Sequence, residues 1–168
     1  MNKVIKPSKL YSLEDAVSHI AELKSKGQKV VLTNGCFDLL HVGHIYFLEN
    51  AAKQGDALWI ALNGADSIKE LKGDSRPIQG DWERTYALSA LECIRGVTLF
   101  NTKRLTQEIL ALKPDVYVKA GDYTVETLDP DERAALDEVR ADIRFLPFLE
   151  GYSTTSLIDK ISKAGSTV

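Results

Sequence analysis

Cysteine is scarce in this sequence: Cys36 and Cys93 are the only two in 168 residues. Two thiols build no disulfide framework, so the fold is expected to stand on its own core in a reducing compartment. No apolar run approaches the length that spans a bilayer. Residues 1–9 are polar and basic without an apolar centre, so they do not read as a secretion signal. The expectation is a cytoplasmic protein with no membrane partner. Excess charge is missing as well: 21 Lys and Arg against 24 Asp and Glu leave a net −3. That balance gives no ground for a polyanion-binding surface, and no nucleic-acid partner is expected. Internal repeats and a domain linker are absent. A chain of this length can bury a full core as one unit. Residues 1–168 therefore read as a single domain, with 1–11 an extended, partly loose lead-in and 165–168 a frayed tail.

Histidine is also rare, with three in all, yet two of them share the tetrapeptide His41-Val42-Gly43-His44. Ahead of it, Val30 to Leu32 reads as a buried strand, and Thr33, Asn34 and Gly35 punctuate the chain as a turn does. Behind it, Ile45, Leu48, Ala51 and Ala52 share one face of a helix that ends before Gly55. The histidines thus sit where a strand hands over to a helix. A helix start offers unpaired N–H groups and the positive end of a dipole, both suited to phosphate. Gly43 lets an anion approach the backbone closely.

The remaining chain alternates strands and helices. Leu13, Val17, Ile20 and Ala21 make the apolar side of a first helix, with Leu23 at its edge, capped by Ser12 and closed at Gly27. Further strands are read at 57–62, 96–100, 115–119 and 143–147. A short helix starts at Ala65. A broad apolar side with Trp82, Tyr86, Leu88 and Ile94 marks 81–93 as helical. Residues 105–112, 129–140 and 156–163 complete the helices, the last with Leu157, Ile158 and Ile161 inward. Such alternation predicts an α/β, Rossmann-like, doubly wound fold with a five-stranded parallel sheet. Ligands in such sheets bind beyond the carboxyl ends of the strands. The segment Lys69 to Gly80 has little to bury and reads as a mobile basic loop.

The string Thr33-Asn34-Gly35-Cys36-Phe37-Asp38-Leu39-Leu40-His41-Val42-Gly43-His44 resembles the nucleotidyltransferase superfamily, and within it the heptose 1-phosphate adenylyltransferases. Leu71-Lys72-Gly73, Arg76-Pro77, Glu83-Arg84, Pro114-Asp115-Val116, Lys119-Ala120-Gly121-Asp122-Tyr123 and Gly151-Tyr152-Ser153-Thr154-Thr155 follow in the same order, so the resemblance covers nearly the whole chain. It implies transfer of AMP from ATP to a phosphosugar, with Mg²⁺ accompanying the ATP, in a homodimer. By the same resemblance, His41, His44 and Lys72 are catalytic, and the Lys69–Gly80 loop is a lid that brings Lys72 and Arg76 to phosphate rather than an ordinary solvated loop. Asn34, Gly35, Cys36, Phe37, Gly43, Ser153, Thr154 and Thr155 bind the nucleotide. Asp38, Asn63, Arg76, Arg84, Lys119 and Asp122 contact the substrate. The chemistry suits the residues. The attacking phosphate is already an anion, so charge neutralisation and alignment matter more than a base or nucleophile.

Blander roles compete at several positions. Asp38 could cap the motif helix, Arg84 could pair with acids on its own helix, Asp122 could serve a turn, and Cys36 could be a small turn residue. His41, His44 and Asp38 could hold zinc, although no further histidine or cysteine pair stands near them. Glycerol 3-phosphate cytidylyltransferases resemble the Gly-x-Ser-Thr-Thr segment too, but carry arginine where this chain has Phe148. A non-catalytic nucleotide-binding domain is the remaining alternative.

Overall fold

A computed structural model describes residues 5–121 and 124–165. Five parallel strands form one sheet in the order β3-β2-β1-β4-β5. They are β1 Val30–Gly35, β2 Ala57–Asn63, β3 Ile94–Phe100, β4 Val116–Ala120 and β5 Asp142–Leu146. The helices are α1 Leu13–Ser25, α2 Val42–Ala52, α3 Ala65–Lys72, α4 Asp81–Ser89, α5 Thr106–Leu112, α6 Pro130–Glu138 and α7 Thr154–Gly165. The expected α/β, doubly wound, five-stranded parallel architecture is what the chain adopts. One apolar cluster packs α1, α5 and α6 against one face; the other packs α2 and α4 against the opposite face.

The central strands are apolar throughout because both of their faces are covered. All seven residues of β2 are buried. Trp59 lies flat over Gly96, where any side chain would collide with the indole, and its Nε1 donates to Thr98 Oγ1 at 3.0 Å. β1 and β2 pair without interruption from Val30↔Ala57 to Gly35↔Leu62. The carboxyl ends of the two strands are therefore level, and the loops leaving them share one rim.

Several helix faces differ from the sequence expectation. On α1 the inward residues are Ala16, Ile20 and Leu23, while Val17 and Ala21 face solvent. On α2 the start of the helix sets the rotation: Gly43 is buried, so Phe47, Leu48 and Ala51 follow it inward and Ile45 is exposed. On α4 Arg84, Thr85 and Leu88 point in, and Trp82 and Tyr86 face out with ring centroids 5.3 Å apart. On α7 no residue is buried, and Ile161 is exposed. In the described part of the lead-in the chain turns at Ser8–Lys9 and is held to β3: Tyr11 N donates to the Val97 carbonyl at 2.9 Å and Val97 N to the Lys9 carbonyl at 2.8 Å. α7 stays helical to Gly165, and the rest of the expected frayed tail lies outside the described residues.

Candidate active site

At the carboxyl end of the sheet a cavity of about 1010 Å³ opens between the loops. Its wall contains Asn34 to Asp38 from the exit of β1, His41, Gly43 and His44, and Asn63 from β2. Lys72, Arg76, Lys119, Ser153 and Thr154 complete the group expected there.

His41 is the N-cap of α2: its Nδ1 accepts from Gly43 N at 3.1 Å. The His44 ring stacks on it with centroids 3.8 Å apart. Phe37 meets His44 edge-on at 5.3 Å. Phe37 is itself buried, and its positive φ of 42° turns its ring across Gly35. It supports the imidazole from below. Burial, followed by the charge of His41, pushes the His44 pKa down to about 4, and Lys72 contributes in the same direction. Desolvation lowers His41 too. Both shifts favour the neutral imidazole over the imidazolium. Gly43 has its backbone against the His41 ring and Tyr152, and a Cβ there would lie 3.0 Å from the ring.

Asn34 fastens β1 to β4, its Oδ1 accepting from Tyr117 OH at 2.8 Å and from Lys119 Nζ at 2.9 Å. Burial lowers the Lys119 pKa. Asn63 donates through Nδ2 to Ser67 Oγ at 3.0 Å. Lys72 ends α3 at the mouth of the cavity. Ser153 caps α7, its Oγ accepting from Ser156 N at 3.0 Å.

Four expectations are corrected by this geometry. Arg84 does not reach the cavity. It is fully buried, with Nη1 donating to the carbonyls of Cys36 and Asn63 at 2.7 Å each, Nε donating to Gln79 O, and Nη2 paired with Asp81. It ties the exits of β1 and β2 together, and the donors it uses all serve the scaffold away from the cavity wall. Asp38 is equally committed. Its carboxylate accepts from Arg76 Nε at 2.7 Å and from the amides of Ile78 and Gln79. Burial works to raise its pKa, but those two amides and the Arg76 guanidinium outweigh it and hold the carboxyl below its usual range. The Lys69–Gly80 lid is correspondingly smaller: Lys69 to Lys72 are helical, and Arg76 to Gln79 are clamped to Asp38. Thr155 is exposed and outside the cavity wall. Asp122 lies outside the described residues.

The cavity also contains residues that the motif reading passed over. They are Lys103 and Arg104, which follow β3, and Asp129 and Glu132, which open α6; Phe148, already singled out by the sequence, joins them after β5. The rule that points to strand exits would have found Lys103 and Arg104. Nothing in the sequence shows that α6 begins beside them.

Among the described residues no three His, Cys, Asp or Glu side chains gather to hold a metal, and Asp38 has its oxygens occupied. Mg²⁺ retains water and binds largely through phosphate oxygens in such sites.

The cytidylyltransferase-like family profile matches residues 32–160. The chain is similar to the bifunctional protein HldE of Hydrogenovibrio crunogenus, 48% identical over 90% of this chain and 31% of that protein. It is similar also to HldE of Geobacter sulfurreducens, 41% identical over 94% of this chain and 32% of that protein. It thus spans about a third of these relatives. A lipopolysaccharide core biosynthesis protein from Thermoplasma volcanium shares the fold, with a TM-score of 0.60 and 24% identity over 76% of this chain and 100% of its own. No helix among the described residues is long and apolar enough to cross a membrane. The profile takes in β1, the histidine motif, the sheet and most of α7, and the chain belongs to the cytidylyltransferase-like family of nucleotidyltransferases.

Proposed function

We propose that the chain transfers AMP from ATP to a sugar 1-phosphate, a heptose 1-phosphate, and releases pyrophosphate. The observation that carries this reading is the stacked His41–His44 pair at the start of α2, facing one cavity with Lys72 and the α7 cap. An oxygen of the sugar phosphate attacks the α-phosphorus. The bond from that phosphorus to the bridging oxygen breaks, and its electron pair leaves with pyrophosphate. Neutral histidine N–H groups hold the α-phosphate as charge shifts, without drawing a proton from the nucleophile. Lys72 supplies the cation, and Ser153 and Thr154 offer hydroxyls and helix-start N–H groups to the outer phosphates. Magnesium, arriving with ATP, would neutralise part of the triphosphate charge.

Similarity to proteins named HldE supports the sugar, together with the resemblance to heptose 1-phosphate adenylyltransferases. Phe148 supports it as well. Its ring lies against Gly121, where a Cβ would overlap it, and it presents an apolar wall to the cavity. Such a wall suits a nucleobase or a sugar face better than a second charge would. A cytidylyltransferase acting on glycerol 3-phosphate is the competing reading. The test is kcat/KM for ATP and CTP, each with heptose 1-phosphate and with glycerol 3-phosphate. ATP with heptose 1-phosphate should be fastest. A clear lead for CTP with glycerol 3-phosphate would replace this reading.

A further inference from the structure

Strand order divides the cavity around β1. β4 and β5 lie on one side, and the α7 cap with Ser153 follows β5. β2 and β3 lie on the other, and Asn63, Lys103 and Arg104 follow them. Displacement at phosphorus puts the incoming and leaving oxygens in line on opposite sides. If pyrophosphate departs toward the α7 cap, the attacking phosphate comes from the β3 side.

The residues on that side suit an acceptor. Arg104 pairs with Asp129 at 2.8 Å, and Lys103 with Glu70 at 3.4 Å across the outer rim. Asp129 caps α6 by accepting from Asp131 N and Glu132 N. Glu132 is buried, and its Oε1 accepts from Leu105 N at 2.9 Å. The Arg104–Asp129 and Glu132–Leu105 contacts hold the start of α6 against the exit of β3, so Lys103, Arg104, Asp129 and Glu132 share one end of the cavity. Two fixed carboxylates repel a triphosphate, yet they accept hydrogen bonds from sugar hydroxyls. Lys103 and Arg104 supply the charge that one phosphate needs. An adenine ring has no use for those cations and finds its apolar wall at Phe148, which follows the opposite edge strand.

Resting on the adenylyl-transfer reading above, we propose that Lys103, Arg104, Asp129 and Glu132 form the acceptor subsite, built for a polyhydroxylated monophosphate. None of these four belongs to the histidine or Ser-Thr-Thr motifs.

The test compares Lys103→Ala, Arg104→Ala and Glu132→Gln with the wild-type chain. Glutamine keeps an oxygen for Leu105 N, so the start of α5 is preserved. KM for heptose 1-phosphate should rise by about tenfold or more in each lysine or arginine variant, and KM for ATP should stay within about twofold. Glu132→Gln should raise the acceptor KM with an unchanged thermal midpoint. A rise in the ATP KM alone would hand this end to the nucleotide. Unchanged kinetics in all three folded variants would reduce these residues to surface ion pairs and helix caps. A second measurement separates this proposal from the reaction itself: amide NMR of the full chain, titrated with heptose 1-phosphate and with glycerol 3-phosphate. Shifts at 102–105 and 127–132 that vanish in Lys103→Ala support the subsite even if neither compound is turned over with ATP. Turnover without such shifts overturns the subsite and leaves the reaction standing.

Discussion

The centre of the sheet and its β5 edge are built to opposite standards. β2 is buried at all seven positions and β1 at its first four. No residue of β5 or α7 is buried. The contrast divides the phosphate site in two. The histidines are carried by a strand and helix locked into the core, whereas Ser153 and Thr154 stand at the head of a helix that only rests on the surface. The first half is therefore expected to be formed before any ligand arrives, and the second to gain order from the ligand.

Removing the tie beneath the rigid half should have the largest effect. Arg84→Met leaves the carbonyls of Cys36 and Asn63 without this donor, while the partly exposed Asp81 keeps Ala65 N. Each buried carbonyl left unpaired costs about 1–3 kcal/mol. Urea unfolding should show the loss as a lower midpoint, and an unchanged midpoint would mean that the two strand exits hold without Arg84. Next comes His44→Ala, which should lower kcat by ~10²–10³-fold, the usual cost of one preorganised donor. Its ATP KM should change far less. Near-normal turnover in the folded variant would remove His44 from the chemistry.

Acid should weaken the same half. The His44 imidazole, depressed from 6.5 to about 4, takes up its proton in the unfolded chain first. Its contribution to stability is complete above pH 6.5 and is lost as the pH falls toward 4. The full swing is on the order of 3 kcal/mol. Unfolding free energies measured across that window should slope steeply for the wild-type chain and much less for His44→Ala.

The exposed half offers the gentler tests. In hydrogen exchange, amides of α7 should gain protection when ATP binds, while those of β1 and β2 should not change. Strong protection of α7 without nucleotide would erase the contrast. The amides of Ile78 and Gln79, bonded to Asp38, should be protected from the outset and lose that protection in Asp38→Asn. Smallest of all, Ile161→Ser on the exposed side of α7 should shift stability by no more than about 0.5 kcal/mol. A thermal midpoint that dropped by many degrees would show that α7 is packed more firmly than its exposure suggests.

Much of this was legible in the chain itself. The five strands announce themselves as short apolar runs, because a parallel sheet covered on both faces has no polar side to display. The histidine motif is visible because its spacing is local: residues three apart at a helix start face the same way whatever surrounds them. Helix rotation was less legible. On α4 the inward position belongs to Arg84, and hydrophobic periodicity cannot anticipate a buried guanidinium whose partners are backbone carbonyls from two distant strands. The lid was misjudged for the same reason. Lys69 to Gly80 contains little that could be buried, but Asp38, some forty residues earlier, supplies the acceptors that pin its second half.

By itself, then, the sequence determined the fold class and the strand exits, and it singled out His41 and His44 at a helix start. Those follow from short-range patterns, namely apolar runs, turn residues and helix starts. Only the tertiary structure decided which charges are spent and which are available. It gave Arg84 and Asp38 to the scaffold, placed the start of α6 beside the exit of β3, and left α7 lightly seated. Each outcome depends on which groups meet across large separations in the chain. A charged residue reads the same in sequence whether it faces a substrate or a carbonyl, and only its neighbours in space tell the two apart.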